Sequence, residues 1–150
     1  MNIDNTRRLL LKGIMAAAAL AAAPVWAFTR NKAAFEATAS DAALKALFGD
    51  KAVSESPEVS LKVPDIAENG AVVPVTIATT LAGARSISIV VEANPNPLSA
   101  SFTLLEGANP EISTRIKMGE SSDVVAAVET DAGVFIARKN VKVTIGGCGG

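Results

Sequence analysis

From Val59 onward, apolar residues recur at every second position in short runs closed by turn residues. Val59, Leu61 and Val63 alternate with polar neighbours, and Pro64 with Asn69-Gly70 breaks the run. Val73, Val75 and Ile77 form the next face, and Pro74 inside it predicts an edge strand, because proline cannot donate to a ladder. Ile87, Ile89 and Val91 end at Asn94-Pro95-Asn96-Pro97. Phe102 with Leu104, then Ile112, Ile116 and Met118, are closed by Gly107, Asn109-Pro110 and Gly119. Val124, Ala126 and Val128 run into Asp131-Ala132-Gly133. The last run is the longest: Phe135, Ala137, Val141, Val143 and Ile145 keep one parity, interrupted only by Lys139. About seven short strands with turns between them predict an all-β domain, an antiparallel β-sandwich of immunoglobulin-like architecture. The tryptophan and cysteine pair of antibody domains are missing, so the expectation concerns architecture only.

Ahead of the strands the period is helical. Ala43, Leu44, Leu47 and Phe48 share a face, Ser40 reads as the N-cap and Gly49 as the stop. The expected organisation is a targeting segment over 1–27, a short N-terminal helix and linker over 28–57, the sandwich over 58–145, and a carrier arm over 146–150.

The targeting segment rests on Thr6 to Lys12, TRRLLLK, followed by an alanine-rich run from Gly13 to Ala23. Arg7 and Arg8 in this setting resemble the twin-arginine export signal, with Leu10 where phenylalanine is commoner. The apolar run is short and weakly apolar for a membrane span, and Val25 and Ala27 suit cleavage after Ala27. An uncleaved N-terminal anchor is the alternative. The resemblance implies export of an already folded chain to the periplasm, without a membrane attachment after cleavage. With no cofactor site in the sequence, co-export with a bound partner is the expected reason for that route.

Composition narrows the chemistry. The 150 residues are 49% hydrophobic and 19% charged with net charge −1, which suits one globular domain and gives no basic surface for nucleic acid. Removing 1–27 takes away Arg7, Arg8, Lys12 and Asp4 and leaves 11 basic and 14 acidic side chains, a net −3. There is no histidine, no tyrosine and a single cysteine, so no metal site, no cofactor site and no catalytic triad is expected.

That cysteine sits in an unusual place. The chain ends Ile145-Gly146-Gly147-Cys148-Gly149-Gly150, so four glycines surround one thiol. Glycine has the widest backbone freedom and no side chain to pack, which predicts a thin, flexible arm. Fully extended, three residues place Cys148 roughly 10 Å beyond Ile145. Arg138, Lys139 and Lys142 lie back along the strand. An activating field is therefore expected from a partner's pocket, and an ordinary thiol is mostly protonated at neutral pH. A buried structural cysteine, a prenylation signal and a cloning scar fit this arm less well: it lacks packing surface, and the cysteine is third from the end.

Residues Val141 to Gly150, VKVTIGGCGG, resemble the carboxyl terminus of the SoxY family, the sulfur-carrier subunits of the bacterial thiosulfate-oxidising system. The similarity extends to the export signal, the short helix and the sandwich. It implies that Cys148 is the covalent attachment point for sulfur intermediates, on a flexible arm made by Gly146, Gly147, Gly149 and Gly150. It also implies a heterodimer with SoxZ and transient visits to SoxXA, SoxB and, where present, SoxCD. The chain itself is then a carrier and not an enzyme. Two other readings stay open at this point. One is a ubiquitin-like carrier with a terminal thiocarboxylate on Gly150, which needs nucleotide activation. The other is a structural sandwich joined to a second chain through a Cys148 disulfide.

Overall fold

The structure is a computed structural model that describes residues 30–144. Met1–Arg30 separates as a unit of its own from Asn31–Gly150, and the fold is that of the second unit. Its elements are helices α1 (Lys32–Glu36) and α2 (Ser40–Phe48) and strands β1 (Val53–Glu55), β2 (Val59–Lys62), β3 (Ile66–Ala67), β4 (Val73–Thr79), β5 (Ser86–Val91), β6 (Leu98–Thr103), β7 (Glu111–Ile116), β8 (Ser122–Thr130) and β9 (Gly133–Val143).

Two sheets face each other. The larger has the order β1-β9-β8-β5-β6, with β3 also on β9; the smaller is β2-β4-β7. Neighbours β5–β8 and β4–β7 are not consecutive in the chain, while β4–β5, β6–β7 and β7–β8 each cross between sheets. The alternation predicts this β-sandwich, and its strands are joined by Greek-key connections. All seven expected strands form. The two additional ones, β1 and β3, are short and lie along one edge of β9, both parallel to it. The sheet is thus antiparallel except at that edge, and β1 falls in the stretch read as linker.

The period-two residues build the core between the sheets. Ile87, Ile89, Val91, Val124, Ala126, Val128 and Val141 meet Val59, Val73, Val75, Ile77 and Ile116. The opposite face of the larger sheet is buried as well. There Val90, Leu98, Val125, Ala127, Val134 and Ile136 pack under Ala34, Ala43 and Phe48 of the helices. Strands β5 and β8 are therefore covered on both sides, which explains why SISIVV and VVAAV read as nearly continuous apolar runs. The molecule has three layers, helices on sheet on sheet.

Two local expectations are corrected. Pro74 does not mark an edge strand: β4 is the middle strand of its sheet. β2 covers only Thr76 to Thr79 of β4, so Pro74 lies beyond its reach with β7 on one side alone. The missing N–H is harmless there. Ser40 is the first helical residue and not the N-cap, which is Ala39 with no side-chain cap. The side-chain cap stands one helix earlier, where Asn31 Oδ1 accepts from Ala34 N–H at 3.1 Å. Gly49 ends α2 as expected, at φ 65°, with its N–H donating to Lys45 C=O at 2.8 Å.

Candidate functional site

Cys148 and the arm glycines Gly146, Gly147, Gly149 and Gly150 lie outside the described residues, as do Ile145 and the export residues Arg7 and Arg8. The structure describes the end of β9, which precedes that segment in the sequence. β9 is 11 residues long, about 33 Å at an ordinary strand rise.

The final described residues, Lys142, Val143 and Thr144, each have their N–H engaged. Lys142 N–H donates to Asp65 C=O at 2.9 Å, and Thr144 N–H to Ala67 C=O at 3.0 Å. These are the bonds of the parallel pairing with β3, which aligns Ile66 with Lys142 and Ala67 with Val143. Val143 N–H faces the other way. The last β8 pairing there is Ser122 with Val141, and beyond it the Ser121 hydroxyl takes over, accepting from Val143 N–H at 2.9 Å. The same hydroxyl lies 3.4 Å from Val143 C=O, to which it donates.

Lys139 fixes the other flank. Its ammonium donates to Val63 C=O at 2.9 Å and pairs with Asp65 Oδ1 at 2.9 Å, tying β9 to the segment that leads into β3. The sequence shows Lys139 only as a polar interruption of an apolar parity; its job is to hold this connection. Arg138, the neighbouring cation, is engaged elsewhere, with Glu55 and Glu92 at 3.4 Å each.

Below the base, the β3–β4 connection crosses the β7–β8 connection at close range. Met118 N–H donates to Gly70 C=O at 2.7 Å. A Cβ on Gly70 would stand 2.4 Å from Met118 O and 2.9 Å from Val143 Cγ1. Glycine is required because a backbone atom blocks the place of a side chain. Asn69-Gly70 is visible in the sequence as a turn, but this contact is not, since it joins segments far apart in the chain. Ser121, Asp65 and Ala67 are likewise absent from a motif-based reading: each acts through a tertiary hydrogen bond.

Among the described residues no group of three or more metal-ligating side chains comes together. The arrangement offers a braced strand end and, four residues past Thr144, one thiol.

The family model described as sulfur oxidation protein SoxY matches residues 44–148. Among solved structures, the sulfur carrier protein SoxY from Chlorobium limicola f thiosulfatophilum is 44% identical, with a TM-score of 0.65, over 70% of this chain and 96% of that one. The chain belongs to the SoxY family. The matched span ends on Cys148, so the thiol falls inside the SoxY family's region of likeness. Two structures of superoxide reductase (neelaredoxin) from Ignicoccus hospitalis are also similar. One has a TM-score of 0.53 over 60% of this chain and 82% of its own, and the other 0.51 over 57% and 80%. Both are 20% identical, a likeness of fold alone. Among curated proteins nothing matches significantly. The SoxY family places the chain in sulfur oxidation as a sulfur carrier.

Proposed function

We propose that this chain is the periplasmic SoxY-type subunit that holds thiosulfate-derived sulfur covalently on Cys148 and presents it to a series of enzymes. The observation that carries the reading is the extent of the family match, which runs through the sandwich and includes the one thiol. The braced end of β9 supports it. A group tethered to a fixed base is kept at high local concentration for each enzyme that docks.

The chemistry balances with the thiol as the only group the chain supplies. Cysteine and thiosulfate join through a new S–S bond, giving cysteine S-thiosulfonate, one proton and two electrons, which a haem enzyme of the SoxXA type accepts. Water then cleaves the S–sulfonate bond at a SoxB-type hydrolase, releasing sulfate and one proton and leaving a persulfide, Cys–S–SH. A SoxCD-type dehydrogenase, where one exists, oxidises that outer sulfur before hydrolysis is repeated. The chain contributes attachment and presentation and does none of the catalysis. Its partner in the carrier is SoxZ, and export through Arg7 and Arg8 delivers it folded.

Intact mass spectrometry tests the reading. After exposure to thiosulfate and the oxidising partner enzyme, the chain gains the mass of a thiosulfonate adduct, and the Cys148→Ser variant gains nothing. An adduct that persists in the serine variant, or sulfur found on the Gly150 carboxylate, rules the proposal out.

A further inference from the structure

An outer sheet edge offers a row of unpaired backbone N–H and C=O groups to any other extended chain. Most such edges in this fold are guarded. β9 is flanked by β1 and β3, which are themselves only three and two residues long. β2 has four residues and carries Lys62, and β7 exposes Glu111 and Arg115 on either side of Ser113. β6, the outer strand of the larger sheet, is different: its six residues, LSASFT, include no charge and no proline.

The phase of the β6 ladder follows from one bond and the register. Leu104 N–H donates to Arg85 C=O at 2.8 Å, and Phe102 and Ala100 stand opposite Ile87 and Ile89. Alternate residues of a strand turn their amides to opposite sides, so Leu104, Phe102 and Ala100 bond to β5 while Thr103 and Ser101 turn outward. Among the described residues, nothing bonds to those outward N–H and C=O groups. Ser99, the extra residue between the Ala100 and Leu98 pairs, bulges the strand and ends the regular edge. The side chains of Ala100, Phe102 and Leu104 pack against the inter-sheet core yet stay only partly buried.

We infer that the outer edge of β6 is a docking site for an extended, uncharged segment of another protein, apolar at alternate positions, which adds to the larger sheet as an antiparallel strand. The backbone sets the occupant's conformation, because an extended chain matches the spacing of the free groups on Ser101 and Thr103. The side chains set its pattern. Residues of the added strand beside Ala100, Phe102 and Leu104 lie on the core side and complete the burial of that row, so they are apolar. Residues opposite Ser101 and Thr103 lie on the other face of the sheet and are small and polar. A charge on the incoming strand would find no opposite charge on β6. The inference stands apart from the carrier reading, since no residue of the thiol segment enters it.

The test uses the full, isotope-labelled chain and a peptide of alternating valine and threonine with a lysine at each end. The peptide should shift the amide signals of Ser101 and Thr103 and slow their exchange, leaving Ser113 on β7 unchanged. The Ser101 hydroxyl accepts from Ser88 at 2.9 Å, so the substitution is placed on Thr103. Thr103→Pro removes one outward N–H and should weaken peptide binding about fivefold, while Thr103→Ala, which keeps it, should bind like the parent. A second arm leaves the protein unchanged. Methylating the peptide's threonine nitrogens, which face the edge, should abolish binding, and methylating its valine nitrogens, which face away, should not. Shifts that fall elsewhere than β6, or two methylated peptides that behave alike, overturn the inference. So does a dimer of the chain alone that Thr103→Pro dissolves, because the edge would then be filled by a second copy.

Discussion

Glu129 shows how a single side chain ties the helical layer's exit to the sheet. It sits opposite Ser86 on β5 and accepts a hydrogen bond from the Ser86 hydroxyl at 3.0 Å, while Lys51, just past α2, forms an ion pair with its other oxygen. Burial works to raise its pKa, but the hydrogen bonds from Lys51 and Ser86, with the charges of Lys51 and Arg85, outweigh burial and lower it. A carboxylate whose folded pKa is depressed stabilises the fold above its unfolded pKa and stops doing so as pH falls through the folded value. Glu129→Gln should therefore cost about 1 kcal/mol in urea unfolding at pH 7. The gap to the parent should close as pH falls through and below the ordinary glutamate range of about 4.3. A gap that persists at pH 3 would mean that the charge is not the cause. None of this is legible in the sequence: Lys51, Ser86 and Glu129 look like ordinary surface residues until the sheet brings them together. Cys148 is the opposite case. Its candidacy rests on its sequence neighbours, so it could be named from the chain alone, while the contacts of Ser121 and Lys139 at the end of β9 could not.

At the scale of elements, local signals succeeded where an element's identity depends on its own period and failed where it depends on a neighbour. The seven alternating runs became strands because each carries apolar side chains into or against the inter-sheet core. β1 and β3 escaped notice because three and two residues cannot show a period, and both exist only as additions to β9. Pro74 misled in the same way: its meaning depends on how far β2 extends, and β2 stops short of it. The helices bear a sharper test. Ser40 looks like a cap and is not one, whereas Asn31 accepts from Ala34 N–H and donates from Nδ2 to Ala46 C=O at 2.7 Å, bonding α1 to α2. Asn31→Ala should lower stability by about 1 kcal/mol, and Ser40→Ala by less than about 0.5 kcal/mol. Urea midpoints for the two variants decide it, and the reverse order would restore Ser40 as the helix start.

For the whole molecule, the proposed function divides the labour between the body and a thiol that should take no part in closing it. Among the described residues both apolar clusters lie between Ala34 and Val143, and no buried side-chain nitrogen or oxygen lacks a partner. The apolar burial that stabilises the described fold thus lies within the three layers. The proposed function calls for this separation, because under it the cysteine changes from thiol to thiosulfonate to persulfide during each cycle. Were those groups coupled to the core, every step would shift the folding equilibrium. Cys148→Ser should therefore leave the urea midpoint within the error that corresponds to about 0.5 kcal/mol, while abolishing the thiosulfate adduct. The parent carrying the adduct should unfold at that same midpoint. A shift of more than about 1 kcal/mol in either comparison would show that the thiol is part of the cooperative fold, and the body would then sense the oxidation state of its cargo.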